Sequence, residues 1–231
     1  LKENNMVRKE LGHEIHNVRD EILVLSSMVE KAMLDSADAL KDHDFQTSET
    51  ILREDNKINR KRFEVESLII SLIATQQPIA HDLRMLTAML DMCTELERMG
   101  DYAKGLSTIN IRSEGLSLPR ILLDIHHMAE KSVDMLHRAI TSFVDEDVES
   151  ARAIAHEDNL IDSLYREIYY EAMDVAIEDA RNIERVNHVL WAAHNIERFA
   201  DRVTNICERT VFVVTGSLNE LHLQEQNEVR I

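Results

Sequence analysis

The stretch LRMLTAMLDMCTELERMGDYA, residues 83–103, decides how this chain folds, because it returns in altered form as IERVNHVLWAAHNIERFAD, residues 183–201. A shift of 100 residues lays Leu83, Leu86, Leu90, Leu96, Glu97, Arg98 and Asp101 on Ile183, Val186, Leu190, Ile196, Glu197, Arg198 and Asp201. A shift of 103 lays Asp42, Asp44, Ile51, Asp55 and Ile58 on Asp145, Asp147, Ile154, Asp158 and Ile161, so the three-residue difference falls at one interhelical turn. Apolar stripes, charged pairs and turns move together, which is the mark of an internal duplication.

Working outward, apolar residues recur at helical spacing nearly throughout, and only five glycines and two prolines interrupt a chain of 231 residues. Pro78 and Pro119 are expected to start helices, where the missing N–H costs nothing. Asp42 to Phe45 and Asp145 to Val148 break the pattern, and Gly216 stands where a helix should stop. Helices are predicted at 7–41, 46–75, 79–110, 118–144, 148–179 and 182–215. The fold class is therefore all-α: two tandem three-helix bundles related by internal duplication, over residues 1–112 and 113–218, with a frayed tail at 219–231.

A formal charge of −17 and a pI near 5.0 would repel a phosphate backbone, and no basic run offsets them, so nucleic acid is excluded as a partner. Cys93 and Cys207 lack metal-ligand spacing and read as small buried residues in a reducing compartment. Residues 1–14 alternate charges where a signal peptide needs an apolar core, and the longest apolar run, near Leu68 to Ala74, is too short to span a bilayer. A cytoplasmic protein without direct membrane insertion is expected.

On the third helix, Leu83, Leu86, Leu90 and Cys93 form a stripe that Glu97 and Asp101 continue; Arg84, Thr87, Glu95 and Arg98 fall nearer the solvent edge. Ile183, Val186, Leu190 and Ala193 lead in the same way to Glu197 and Asp201. On the second helix of each half, Asp55 with Asn59 and Asp158 with Asp162 share the apolar face. Like charges four residues apart repel by roughly 0.2–0.5 kcal/mol, more when water is excluded, so something must neutralise them. Shared protons, salt bridges to arginines such as Arg98 and Arg198, or bound cations would serve; an exposed Glu-x-x-x-Asp pair usually marks only a solvated face. Repetition of two pairs per half at matching offsets makes metal binding the leading reading. The histidines, including His13, His16, His81, His126, His127, His188 and His194, read as surface or packing residues, and no nucleophile with a positioned base is visible.

Leu96-Glu97-Arg98-Met99-Gly100-Asp101-Tyr102-Ala103 and Ile196-Glu197-Arg198-Phe199-Ala200-Asp201 resemble the paired signature of the PhoU family. Asp158-Asn159-Leu160-Ile161-Asp162, its weaker copy Asp55-Asn56-Lys57-Ile58-Asn59, and the run Val211 to Gly216 extend the resemblance over nearly the whole chain. It implies multinuclear metal sites, of iron, zinc, magnesium or manganese, at Asp158, Asp162, Glu197 and Asp201 and at Asp55, Asn59, Glu97 and Asp101. Asn59 departs from the pattern by losing a charge, which predicts weaker binding in the first half. The resemblance further implies a homodimer and a non-enzymatic regulator of phosphate uptake and phosphate-starvation signalling. Its partners would be the nucleotide-binding subunit of the phosphate ABC transporter and a membrane sensor histidine kinase, which would bring it to the membrane only peripherally. An accessory protein of another phosphate carrier is the alternative. A ferritin-like di-iron oxidase is disfavoured, since only Glu10-Leu11-Gly12-His13 has the Glu-x-x-His spacing of which that design needs two.

Overall fold

The computed structural model describes residues 2–113, 118–218 and Leu221, with side chains from Glu10 onward. The elements are α1 (Lys2–Asp42), α2 (Phe45–Gln76), α3 (Ala80–Arg112), α4 (Pro119–Val144), α5 (Val148–His156), α6 (Asp158–Glu178), a 3-10 turn (Ala180–Asn182) and α7 (Ile183–Thr215). Among the described residues all regular structure is helical. The tail expected at 219–231 lies, apart from Leu221, outside the described residues.

Helices α1, α2 and α3 form one bundle, and α4 to α7 form the other. Val18, Ile22, Leu25, Val29 and Met33 recur every three or four residues on α1 and are fully enclosed; each such burial contributes about 1.5–3 kcal/mol. The bundles do not stand apart, because α1 packs on α4 and α3 on α7, and one continuous core runs through both halves. The inner helices are accordingly apolar on nearly every side, whereas α2 and α6 bury one narrow seam.

The α3–α7 contact reveals the symmetry. Arg209 meets Asp91 at 3.4 Å and Asn205 donates to Glu95 at 3.0 Å, while Arg198 lies beside Tyr102. The helices therefore run antiparallel and cross near Gly100 and Ala200, the positions that the duplication equates. On the other side His126 meets Asp38 at 2.9 Å and His137 meets Glu30 at 3.5 Å, so α1 and α4 cross in the same sense. The two halves are related by a pseudo-two-fold axis. Their helix starts match as well: Asp44 and Asp147 are N-caps that accept from the Thr47 and Ser150 amides at 2.9 and 3.1 Å, and from the hydroxyls of the same residues at 2.6 Å. His43 and Glu146, just before them, both take positive φ, at 56° and 55°.

Four expectations need correction. The single helix predicted at 148–179 is two, α5 and α6, because the chain tightens at Glu157 into i→i+3 hydrogen bonds of 3.0 and 2.9 Å. There Arg138 of α4 grips the Glu157 carboxylate with both amino groups, at 2.7 and 2.5 Å; α1 carries Asp35 at the corresponding place, and α2 runs through Glu54 unbroken. Pro119 does open α4, but Pro78 lies ahead of α3 in a linker whose Gln77 is left-handed and whose Ile79 is extended. Leu83 and Ile183, counted in the apolar stripes, are 38% and 58% exposed because they stand at the outer ends of α3 and α7. Glu95 and Arg84, placed near solvent, instead face α7: Glu95 takes Arg202 and Asn205, and Arg84 donates to the Val213 carbonyl at 2.9 Å.

Candidate functional site

The seam of α2 runs Ile51, Asp55, Ile58, Arg62, Val65, Ile69, Leu72, so a carboxylate and a guanidinium occupy positions that its neighbours fill with aliphatic carbon. The seam of α5 and α6 runs Ile154, Asp158, Ile161, Tyr165, Ile168, Ala172. Asp55 and Asp158 are only 7% and 8% exposed. Opposite them, α3 presents Glu97 and Asp101, and α7 presents Glu197 and Asp201. Gly100 allows the close approach in the first half, since a Cβ there would sit 3.3 Å from two carbons of Ile58.

In the first half the acidic groups already have cations. The Lys104 ammonium lies 2.8 Å from Asp55 Oδ2 and 3.9 Å from Asp101 Oδ1. Asn59 donates its amide to the same Asp55 oxygen at 3.2 Å. Glu97 is drawn to Arg62, Nη1 to Oε1 3.3 Å, while Arg62 Nε holds Glu66 at 2.7 Å. Burial and the nearby Asp55 charge push the Asp101 carboxyl above its ordinary value, with Lys104 opposing them.

The second half is differently compensated. Burial, the Asp201 charge and the Asp162 charge raise the Glu197 carboxyl, with His194 and Arg198 acting against the shift. Glu197 Oε2 is enclosed and makes no hydrogen bond; His194 Nδ1, 3.1 Å away, can offer it a charge only when protonated. Arg198 reaches Asp201 at 3.6 Å. Tyr165 packs near the His194 ring, and burial together with the Glu197 charge raises its phenol.

These geometries test the expected metal ligands. Asp158, Asp162, Glu197 and Asp201 are four anionic oxygen donors on facing helices, with one enclosed oxygen lacking a hydrogen-bond partner; that chemistry fits a hard cation. Asp55, Asn59, Glu97 and Asp101 fit less well, because an ammonium and a guanidinium sit among them. In the conformation described, no three His, Cys, Asp or Glu among the described residues converge closely enough to hold an ion. Loading the second groove therefore requires these side chains to draw together. Single-helix counting missed Lys104, Arg62 and Tyr165 and set His194 aside as packing. The signal was present: Lys104 is seven residues beyond Glu97, and Arg62 seven beyond Asp55, on the same faces.

Thiol chemistry is unavailable here. Cys93 and Cys207 are buried, which pushes each thiol up to about 12.

Comparison with known proteins places this architecture. The PhoU domain model matches residues 22–109 and 125–210, one copy in each half. The phosphate-specific transport system accessory protein PhoU homolog of Clostridium acetobutylicum is 32% identical over 218 residues, covering 94% of this chain and all of the relative. The phosphate-specific transport system accessory protein PhoU of Escherichia coli K12 is 27% identical over 216 residues, 94% of this chain and 90% of the relative. The crystal structure of PhoU from Pseudomonas aeruginosa superposes with a TM-score of 0.83 at 29% identity, over 89% of this chain and 99% of that one. The phosphate transport system regulatory protein PhoU from Streptococcus pneumoniae gives 0.83 at 28% identity, over 90% and 99%. With both halves matched and a full-length relative above 30% identity, this chain belongs to the PhoU family.

Proposed function

We propose that this protein is an accessory regulator of phosphate transport that restrains the phosphate ABC transporter through its nucleotide-binding subunit and relays its state to a membrane sensor histidine kinase. The observation that carries the reading is the match over nearly the whole chain to relatives named as accessory proteins of the phosphate-specific transport system. PhoU proteins are accessory and regulatory proteins rather than enzymes, and this chain is no enzyme. Among the described residues no helix is long and apolar enough to cross a membrane, so contact with a transporter would run through protein surfaces. In the same reading the chain forms a homodimer, and Asp158, Asp162, Glu197 and Asp201 hold iron, zinc, magnesium or manganese that pins α6 to α7. Such a cation would supply electrostatic neutralisation and rigidity, with no turnover.

The test is twofold. Deleting the gene should leave the phosphate-starvation response switched on at high phosphate, and the purified protein should retain the transporter's nucleotide-binding subunit in a pull-down. A normal response in the deletion strain, with no retention of the subunit, would refute the proposal.

A further inference from the structure

The pseudo-two-fold axis makes the two carboxylate grooves directly comparable, and they differ at three positions in one direction. Asn59 stands where the second half has Asp162, Lys104 where it has Thr204, and Arg62 where it has Tyr165. Each exchange moves the first groove one charge unit towards positive, and Glu66, which holds Arg62 where the second half has Tyr169, returns one, leaving a difference of two. Arg98 and Arg198 are common to both halves and do not enter the difference. Thr94 occupies the place that His194 takes in the second half, so the second groove carries an imidazole that the first lacks.

We infer that the Lys104 ammonium is the resident counter-ion of the first groove, so that this half of the molecule works without metal while the other half is built to take one. Asp55 is almost fully enclosed, and a buried carboxylate needs a cation or a proton. Lys104 supplies the cation from the next helix at 2.8 Å, carrying its stem along the groove while its head stays partly in water. Asn59 completes the arrangement by spending its amide on the same oxygen, and Arg62 takes Glu97 away from it. A divalent ion entering here would meet a fixed ammonium at contact distance from its best ligand. At position 204 the threonine hydroxyl donates to the Asp201 carbonyl at 2.7 Å and brings no charge.

The inference rests on the metal reading of the second groove, and the experiment separates the two. Manganese content per chain is measured after loading and desalting for the wild type, for Asp162→Asn with Glu197→Gln, and for Asn59→Asp with Lys104→Thr. The second-groove variant should lose its manganese and the first-groove variant should gain manganese over the wild type. Metal retained by the second-groove variant, and lost only when Asp101→Asn is added, would overturn the inference. A wild type that holds no manganese would sink the metal reading instead. Lys104 is then judged by melting in EDTA: Lys104→Met should lower Tm by roughly 2–4 °C, and adding Asp55→Asn should recover part of the loss. An unchanged melt for Lys104→Met would overturn the inference whatever the metal content.

Discussion

Glu197→Gln should stabilise the metal-free protein, the opposite of what removing a charged side chain from an ion pair usually does. Glu197 is 22% exposed, stands one turn from Asp201, faces Asp162, and encloses an oxygen without a hydrogen bond. Like charges at this spacing cost roughly 0.2–0.5 kcal/mol on an exposed helix, and partial burial with a second carboxylate brings the relief from Gln to about 1 kcal/mol. For a chain of this size that is a rise in Tm of roughly 2–4 °C. The pH dependence fixes the sign independently. Because the folded carboxyl titrates above its ordinary value of 4.5, the native state binds more protons than the unfolded one in that window. The contribution of this group to stability should therefore be greatest below the ordinary value and fall as pH rises through the raised one. Melting by circular dichroism in EDTA at pH 5 and pH 8 reads both effects. The glutamine variant should melt higher at pH 8, flatten the difference between the two pH values, and lose any rise in Tm on adding manganese. A variant that melts lower than the wild type in EDTA at pH 8 would refute the reasoning, by showing that the fold already favours the charged carboxylate.

Asp44→Ala and Asp147→Ala remove equivalent caps and should destabilise the protein by similar amounts in the two halves, visible as matched falls in Tm. Cys93 and Cys207 should resist a thiol reagent in the native protein at pH 8 and react after unfolding in guanidinium, because both thiols titrate at about 12 in enclosed sites. Glu95→Ala strips the acceptor from Arg202 and Asn205 between the bundles, and chemical denaturation should register a loss of about 1–3 kcal/mol. Adding Arg202→Met to that variant should recover part of it.

The duplication, the helical class and the positions of the main turns were legible because each is written in a periodic pattern along the chain. Asp44 and Asp147 cap helices as their positions imply, and Gly216 ends α7 in the left-handed conformation, with φ of 78°. What the chain could not disclose lies between helices. Glu95 looks solvent-facing on α3 until α7 is laid across it, and the break at Glu157 stands where an arginine reaches over from α4. Lys104 is a further case: its stripe position was readable, but only the approach of α2 brings its ammonium to Asp55. The apolar stripes drew attention to eight ligand candidates. The counter-charges that divide them into two unlike grooves became visible only with the packing.

Anomalous diffraction from crystals of the protein grown with manganese tests the central claim most directly. The account predicts a peak between α6 and α7, bounded by Asp158, Asp162, Glu197 and Asp201, and none beside Asp55, where the Lys104 ammonium should remain. A peak against Asp55 and Asp101 with Lys104 displaced, or no peak in either groove, would contradict it.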